Sequence, residues 1–322
     1  MYRRKKGWRT YRDSVIAWTP FFLLLFSAAY ALNHPAYWLL VLLVWFLRNP
    51  VRKAFYFAHP PRRISWVMDT PLPLRDVTFK SGDGLTLFGR FLPSRNRATV
   101  LLVHGLGQAN QDMLVYAEHL ASQGFGIFMI DLRAHGSSDG DTSTHGLREV
   151  EDVAGAVDYL LHRIDVDGRK IGALGISVGA QAVLRGSLKN ESIRALVLED
   201  LGPAVLGDHG GKPRSVKQWL SYPGNWLFYR IYQFMCAGRE QGVLEVIGGI
   251  APRPILLIAS GSQEIYFNRL FYQAAREPRE LWELPHGEPG AAILSDSHTY
   301  IQRVTEFFNR ELLPEHARER VR

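Results

Sequence analysis

The chain has 322 residues, 47% of them hydrophobic and 21% charged, the balance of an ordinary globular protein with a sizeable buried core. Its formal charge of +7 does not point to nucleic acid. The excess sits in Arg3, Arg4, Lys5, Lys6, Arg9 and Arg12 and in Arg48, Arg52, Lys53, Arg62 and Arg63; beyond Arg63, 30 acidic residues outnumber 27 basic ones, with no zinc-ligand spacing or aromatic-basic interleaving.

Cys236 is the single cysteine, which excludes an intrachain disulfide and a cysteine-rich metal site. From the N-terminus, a basic tail over 1–13 leads into Ser14 to Leu47, a stretch with no Asp, Glu, Lys or Arg. Val15 to Leu32 would measure about 27 Å as a helix, close to the roughly 30 Å of a bilayer's hydrocarbon core. Ala36 to Leu47 is shorter, and Asn33 to Pro35 reads as a polar turn between the two. The pattern predicts a membrane hairpin over 14–47, with Trp18, Tyr30, Tyr37, Trp38 and Trp45 as interfacial anchors and membrane lipid as its partner. Basic residues on both flanks place both ends, and the domain that follows, on the cytoplasmic side. The competing readings are a signal peptide with Ala29-Tyr30-Ala31 as its cleavage pattern, against which a second apolar run follows at once, and a buried core hairpin, against which a purely apolar stretch between basic flanks speaks.

A basic, Pro-rich linker over 48–74 opens onto a regular alternation of strand and helix patterns over 75–314. Arg75 to Ser81 and Leu85 to Pro93 read as strands around a Gly82-Asp83-Gly84 turn. Ala98 to Gly105 is an apolar, β-branched run fit for a strand buried on both faces, and a helix near 112–124 follows it. The same unit recurs: a strand over 124–133 before a helix near 149–163, a strand over 170–177 before a helix near 179–188, and a strand over 193–200. After an irregular stretch, 252–260 and 280–285 read as the last strands and 298–312 as the last helix. Strands spaced by helices imply parallel pairing, with ligands outside the carboxyl ends of the strands. Residues 315–322 form a charged tail.

Gly175-Ile176-Ser177-Val178-Gly179 lies between a buried strand and a helix, the context in which a G-x-S-x-G pattern exposes a nucleophilic serine. His104-Gly105-Leu106-Gly107-Gln108 follows an earlier strand, where a glycine-bearing loop can aim backbone N–H groups at a developing oxyanion. The Leu106 and Val178 N–H groups are the candidate pair. With these, the segments 131–140, 250–264 and 300–308 make the chain resemble the α/β-hydrolase superfamily, in its serine esterase, lipase and aminopeptidase-like branch, over about Arg75 to Leu313.

The resemblance implies a mostly parallel central sheet flanked by helices, with a cap inserted after the sixth strand, at about 203–250. It implies Ser177 as nucleophile and an acid after the strand ending at Ser260, where Glu264 stands; Asp200 is the alternative acid. The base belongs after the last strand. His286 lies there, but an ungapped match puts Pro289 in its place, so His298 is the alternative base and loss of the base a third reading. Asp131, Arg133 and His135 belong to scaffold, and His104 shapes the oxyanion loop. Trp219, Trp226, Phe228 and Tyr232 would line an acyl pocket or simply pack the cap. No metal and no organic cofactor is needed. The function so implied is a membrane-anchored serine hydrolase of carboxylic esters, acting through an acyl-enzyme. Its alternatives are an amide hydrolase of the aminopeptidase kind and a tethered binding or scaffold protein that has lost its base.

Overall fold

The structure is a computed structural model; it describes Ser27, Tyr30 and residues 35–63, 70–211, 216–236 and 241–313. Eight strands form one sheet in the order β1-β2-β4-β3-β5-β6-β7-β8. They are β1 (Arg75–Lys80), β2 (Thr86–Leu92), β3 (Thr99–Val103), β4 (Gly126–Ile130), β5 (Ile171–Ile176), β6 (Ile193–Glu199), β7 (Ile255–Ser260) and β8 (Arg279–Leu284). β2 pairs antiparallel with β1 and with β4, and every other pair is parallel. This is the α/β-hydrolase fold, and each strand expected from the sequence is present.

The helices are α1 (Pro35–Ala58), α2 (Leu114–Ser122), α3 (Glu149–Leu161), α4 (Val178–Lys189), α5 (Val216–Cys236), α6 (Val243–Val246), α7 (Gly261–Ala274), α8 (Ala292–Ser295) and α9 (Ser297–Leu312). Strand alternation divides the core between the two sheet faces. Leu101, Val103, Phe128 and Ile130 meet Val153 and Val157 of α3, Val183 of α4 and Phe271 of α7. Val100, Leu102, Ile127 and Met129 meet Tyr116 and Leu120 of α2 and Tyr300, Val304 and Phe308 of α9. Strands buried on both faces are continuously apolar for this reason, and that made them legible.

The N-terminal region differs from the hairpin the sequence predicts. The first arm apart from Ser27 and Tyr30, its turn at Asn33 and His34, and the tails at 1–13 and 315–322 lie outside the described residues. The second arm does not end at Leu47: α1 runs on through Arg48, Pro50 and Lys53 to Ala58. Among the described residues, no helix is long and apolar enough to cross a membrane. The C-terminal half of α1 packs instead on α5, the long helix of the segment between β6 and β7. Ala54 and Ala58 share a buried cluster with Phe228, Tyr229, Tyr232 and Cys236.

The two helices run parallel, since Pro50 meets Gly224 while Phe57, farther along α1, meets Tyr232, farther along α5. Phe228 and Tyr232 thus pack against Phe57, with ring centroids 5.5 and 6.2 Å away. Trp219 and Trp226 are exposed, so these four aromatics do not share a pocket wall.

Candidate active site

Ser177 occupies the junction between β5 and α4 with φ 53° and ψ −110°, a left-handed backbone that a non-glycine residue adopts only when its surroundings enforce it. The enforcement is visible at the flanking glycines. A Cβ on Gly175 would lie 2.4 Å from the Gly179 carbonyl oxygen, and one on Gly179 would lie 2.3 Å from that of Val103. Only glycine lets α4 turn back this sharply across β3. The Ser177 N–H donates to the Glu199 carbonyl, 2.9 Å away, while the side chain is partly exposed. Among the described residues its hydroxyl has no hydrogen-bond partner.

The oxyanion loop is held by bonds that leave one N–H over. Gly105 N–H donates to Gln108 Oε1 (2.8 Å), Gly107 N–H to His135 Nε2 (3.1 Å) and Gln108 N–H to the Gly105 carbonyl (3.2 Å). Leu106 lies between them, and its N–H has no acceptor among the described residues. Val178 opens α4, where the first N–H groups lack intrahelical partners and the helix dipole favours negative charge.

His104 accepts from Leu132 N–H at Nε2 (3.1 Å) and bonds the Gly105 carbonyl through Nδ1 (2.8 Å), so both ring nitrogens are occupied. Burial lowers the pKa of His104 and brings that of His135 down to about 4, which keeps both rings neutral inside the scaffold. Asp131 accepts from both nitrogens of Asn110 and from Ser137 N–H, and Arg133 pairs with Asp152 and Asp83. All four residues of this group brace loops rather than face Ser177.

The acid candidates stand on either side of β7. Asp200 follows β6 with φ 49°, level with Ser177 because Glu199 pairs with Ile176. Its Oδ1 accepts from Ser260 N–H (2.6 Å) and its Oδ2 from Gly290 N–H (2.5 Å). Burial pushes its pKa up to about 7, helped by the Glu199 charge and opposed by the two N–H groups. Glu264 lies in the first turn of α7, half-buried, and burial raises its pKa as well. A Cβ on Gly261 would sit 3.7 Å from Glu264 Oε2 and 3.6 Å from Pro289 Cγ, so Pro289 and the carboxylate flank the same turn.

His286 is exposed in the loop between β8 and α8, and His298 is exposed in the first turn of α9. Among the described residues, no histidine bonds Ser177 or Glu264. The structure therefore gathers Ser177, Asp200, Glu264 and the two candidate N–H donors at the carboxyl ends of β3, β5, β6 and β7, with His286 and His298 unbonded to them among the described residues. Sequence reasoning missed Glu199, which is fully buried and accepts from Tyr300 Oη (2.7 Å), Tyr116 Oη (3.3 Å) and Ala292 N–H (3.1 Å). Its only sequence signal is its place beside Asp200.

Residues 94–243 match the model of the serine aminopeptidase S33 family. The chain is 26% identical over 258 residues to the uncharacterized protein YfhR of Escherichia coli K12, covering 76% of this chain and 84% of YfhR. It is 24% identical over 247 residues to the α/β-hydrolase domain-containing protein WAV2 of Arabidopsis thaliana, covering 73% of this chain and 78% of that one. Among solved structures, the Pyrococcus furiosus esterase Pf2001 superposes with a TM-score of 0.64 at 23% identity, over 80% of this chain and 98% of the esterase. An esterase from Exiguobacterium antarcticum gives 0.56 at 14% identity, over 73% and 100%.

Proposed function

We propose that the chain is a serine hydrolase that cleaves carboxylic esters through an acyl-enzyme. The observation that carries this reading is Ser177 itself: a non-glycine residue held in left-handed backbone between a buried strand and a helix, its hydroxyl partly exposed and unbonded among the described residues. Ser177 Oγ attacks the carbonyl carbon, and the Leu106 and Val178 N–H groups receive the oxyanion. His286 takes the serine proton and returns it to the leaving alcohol, with Glu264 orienting the ring. Water then attacks the acyl-enzyme with the same residues in reversed roles. This requires the loop between β8 and α8 to carry His286 inward. The apolar run over 14–47 tethers the chain to membrane, with the hydrolase domain on the cytoplasmic face.

Pro289 beside Glu264 favours a second reading, a tethered binding protein that keeps the fold without the base. Labelling by a fluorophosphonate, repeated on Ser177→Ala, separates the two. The hydrolase reading expects labelling that the substitution abolishes; absence of labelling in the native chain overturns it. Parallel assays with p-nitrophenyl esters and aminoacyl p-nitroanilides distinguish ester from amide hydrolysis.

A further inference from the structure

The parallel packing of α1 and α5 has a geometric result. Their C-terminal ends dock on the body: Ser143 N–H donates to the Ala58 carbonyl (2.8 Å), and Tyr232 Oη donates to the Ser143 carbonyl (3.1 Å). Their N-terminal ends therefore project side by side, away from that anchor. Both projecting ends are apolar and uncovered. On α1, Leu39 is 68% exposed and Leu42 60%; on α5, Trp219 is 60% exposed and Leu220 77%. Leu40, Leu43 and Phe46 on α1 and Val216 and Trp226 on α5 are exposed as well. Contiguous apolar area of this kind marks an interaction site rather than ordinary surface.

Charge says what the partner is. Neither α1 nor α5 contains an Asp or Glu, while Arg48, Arg52, Lys53, Lys217 and Arg230 lie along them. The chain beyond Arg63 has more acidic than basic residues, so the excess of positive charge lies in the N-terminal region that includes α1. Basic side chains beside exposed Leu and Trp fit an anionic lipid surface. The sequence that precedes α1, residues 14–32, is also free of charged residues and largely apolar. An apolar medium accommodates both.

We propose that the N-terminal halves of α1 and α5 together form a docking surface that enters one leaflet of an anionic bilayer without crossing it. Ala36 to Leu47 measures about 18 Å as a helix, roughly half of the hydrocarbon core, which suits partial entry. The chain leaving α1 then crosses the oxyanion loop: a Cβ on Gly107 would lie 3.4 Å from Tyr56 Oη and 3.8 Å from Pro61 Cδ. Docking of the N-terminal halves thus leaves this C-terminal contact with the oxyanion loop outside the leaflet. The inference rests on the membrane tether proposed above and not on the Ser177 chemistry.

The test uses the full chain with vesicles of phosphatidylcholine containing a minority of phosphatidylglycerol. A polarity-sensitive fluorophore on Leu220→Cys should blue-shift on binding and be quenched by brominated lipid, while the same label on Glu191→Cys should not respond. Combining Trp219→Ser, Leu220→Ser and Trp226→Ser, all at exposed positions, should weaken vesicle partitioning about tenfold or more. A chain that floats with vesicles while its label at 220 stays in water overturns the role of α5 and leaves the tether. A label already shielded before vesicles are added makes the N-terminal run or a second copy the occupant and overturns the proposal. Absence of vesicle binding overturns both proposal and tether.

Discussion

Gly290 donates its backbone N–H to Oδ2 of Asp200, joining the loop after β8 to the residue level with Ser177. The bond fixes where that loop crosses the carboxyl ends of the strands. It sets Pro289, the neighbour of Gly290, at the turn occupied by Glu264, and leaves His286 in solvent.

That placement predicts opposite outcomes at two loop positions. His286→Ala should abolish p-nitrophenyl ester hydrolysis with melting temperature unchanged, because the side chain is exposed and bonds nothing among the described residues. His298→Ala should stay within a few fold. Pro289→His, which sets an imidazole beside Glu264, should raise the rate if the native site lacks an efficient base. Equal rates in native and His286→Ala chains would remove His286 from the mechanism.

The two carboxylates are separable by kinetics. If Glu264 orients the base, Glu264→Gln should lower kcat by orders of magnitude with KM nearly constant, since the group acts in the transition state. Asp200→Asn should be mild in kcat, because no histidine among the described residues bonds Asp200; its amide nitrogen cannot accept from the Ser260 or Gly290 N–H, so the loss falls on stability. The reverse ranking makes Asp200 the acid.

Asp200 also predicts a pH dependence of stability. Its carboxyl, raised to about 7 mainly by burial and next by the Glu199 charge, keeps its proton in the folded chain across a range where the unfolded chain has lost it. The unfolded state therefore binds fewer protons from about pH 4 to about pH 7, and stability falls as pH rises through that window. Thermal melts from pH 5 to 8 should show the fall, and the fall should be shallower in Asp200→Asn. Parallel curves would assign the slope to other groups.

The glycine in the first turn of α4 offers a stability test with its own control. Gly179→Ala pushes a Cβ into two backbone carbonyls, Val103 at 2.3 Å and His104 at 2.5 Å, and neither can swing aside. The cost should be at least about 3 kcal/mol, read by urea denaturation or as loss of soluble chain. Gly202→Ala, where a Cβ meets nothing within 4 Å, should be near neutral.

The parts legible in the sequence are those whose cause is local. Continuous apolar runs gave the parallel strands, and two glycines flanking Ser177 gave the elbow, because close backbone approach leaves its mark at single positions. The course of α1 past Leu47 was not legible. Arg48, Pro50, Arg52 and Lys53 read as linker, and they become helix through a partner more than 150 residues away. The facing of α5 was equally hidden. Trp219 and Trp226 lie on the side of the helix opposite Phe228 and Tyr232, both sides are aromatic, and only the Phe57 contact selects Phe228 and Tyr232. Glu199 escaped notice because an acid inside a strand pattern reads as a strand end unless its tyrosine partners, distant in sequence, are known.

The shared cluster of α1 and α5 makes the first 63 residues something other than a leash. A leash can be cut and its cargo left whole, whereas cutting after Arg63 would strip Ala54, Phe57 and Ala58 from Phe228, Tyr229 and Tyr232 and remove the bonds that Ala58, His59 and Arg62 make to the 138–143 loop. The excised domain would carry a fresh aromatic scar beside its candidate site. Graft experiments that move the N-terminal region onto another protein should take α5 with it, because the two helices, one before β1 and the other between β6 and β7, share one interior.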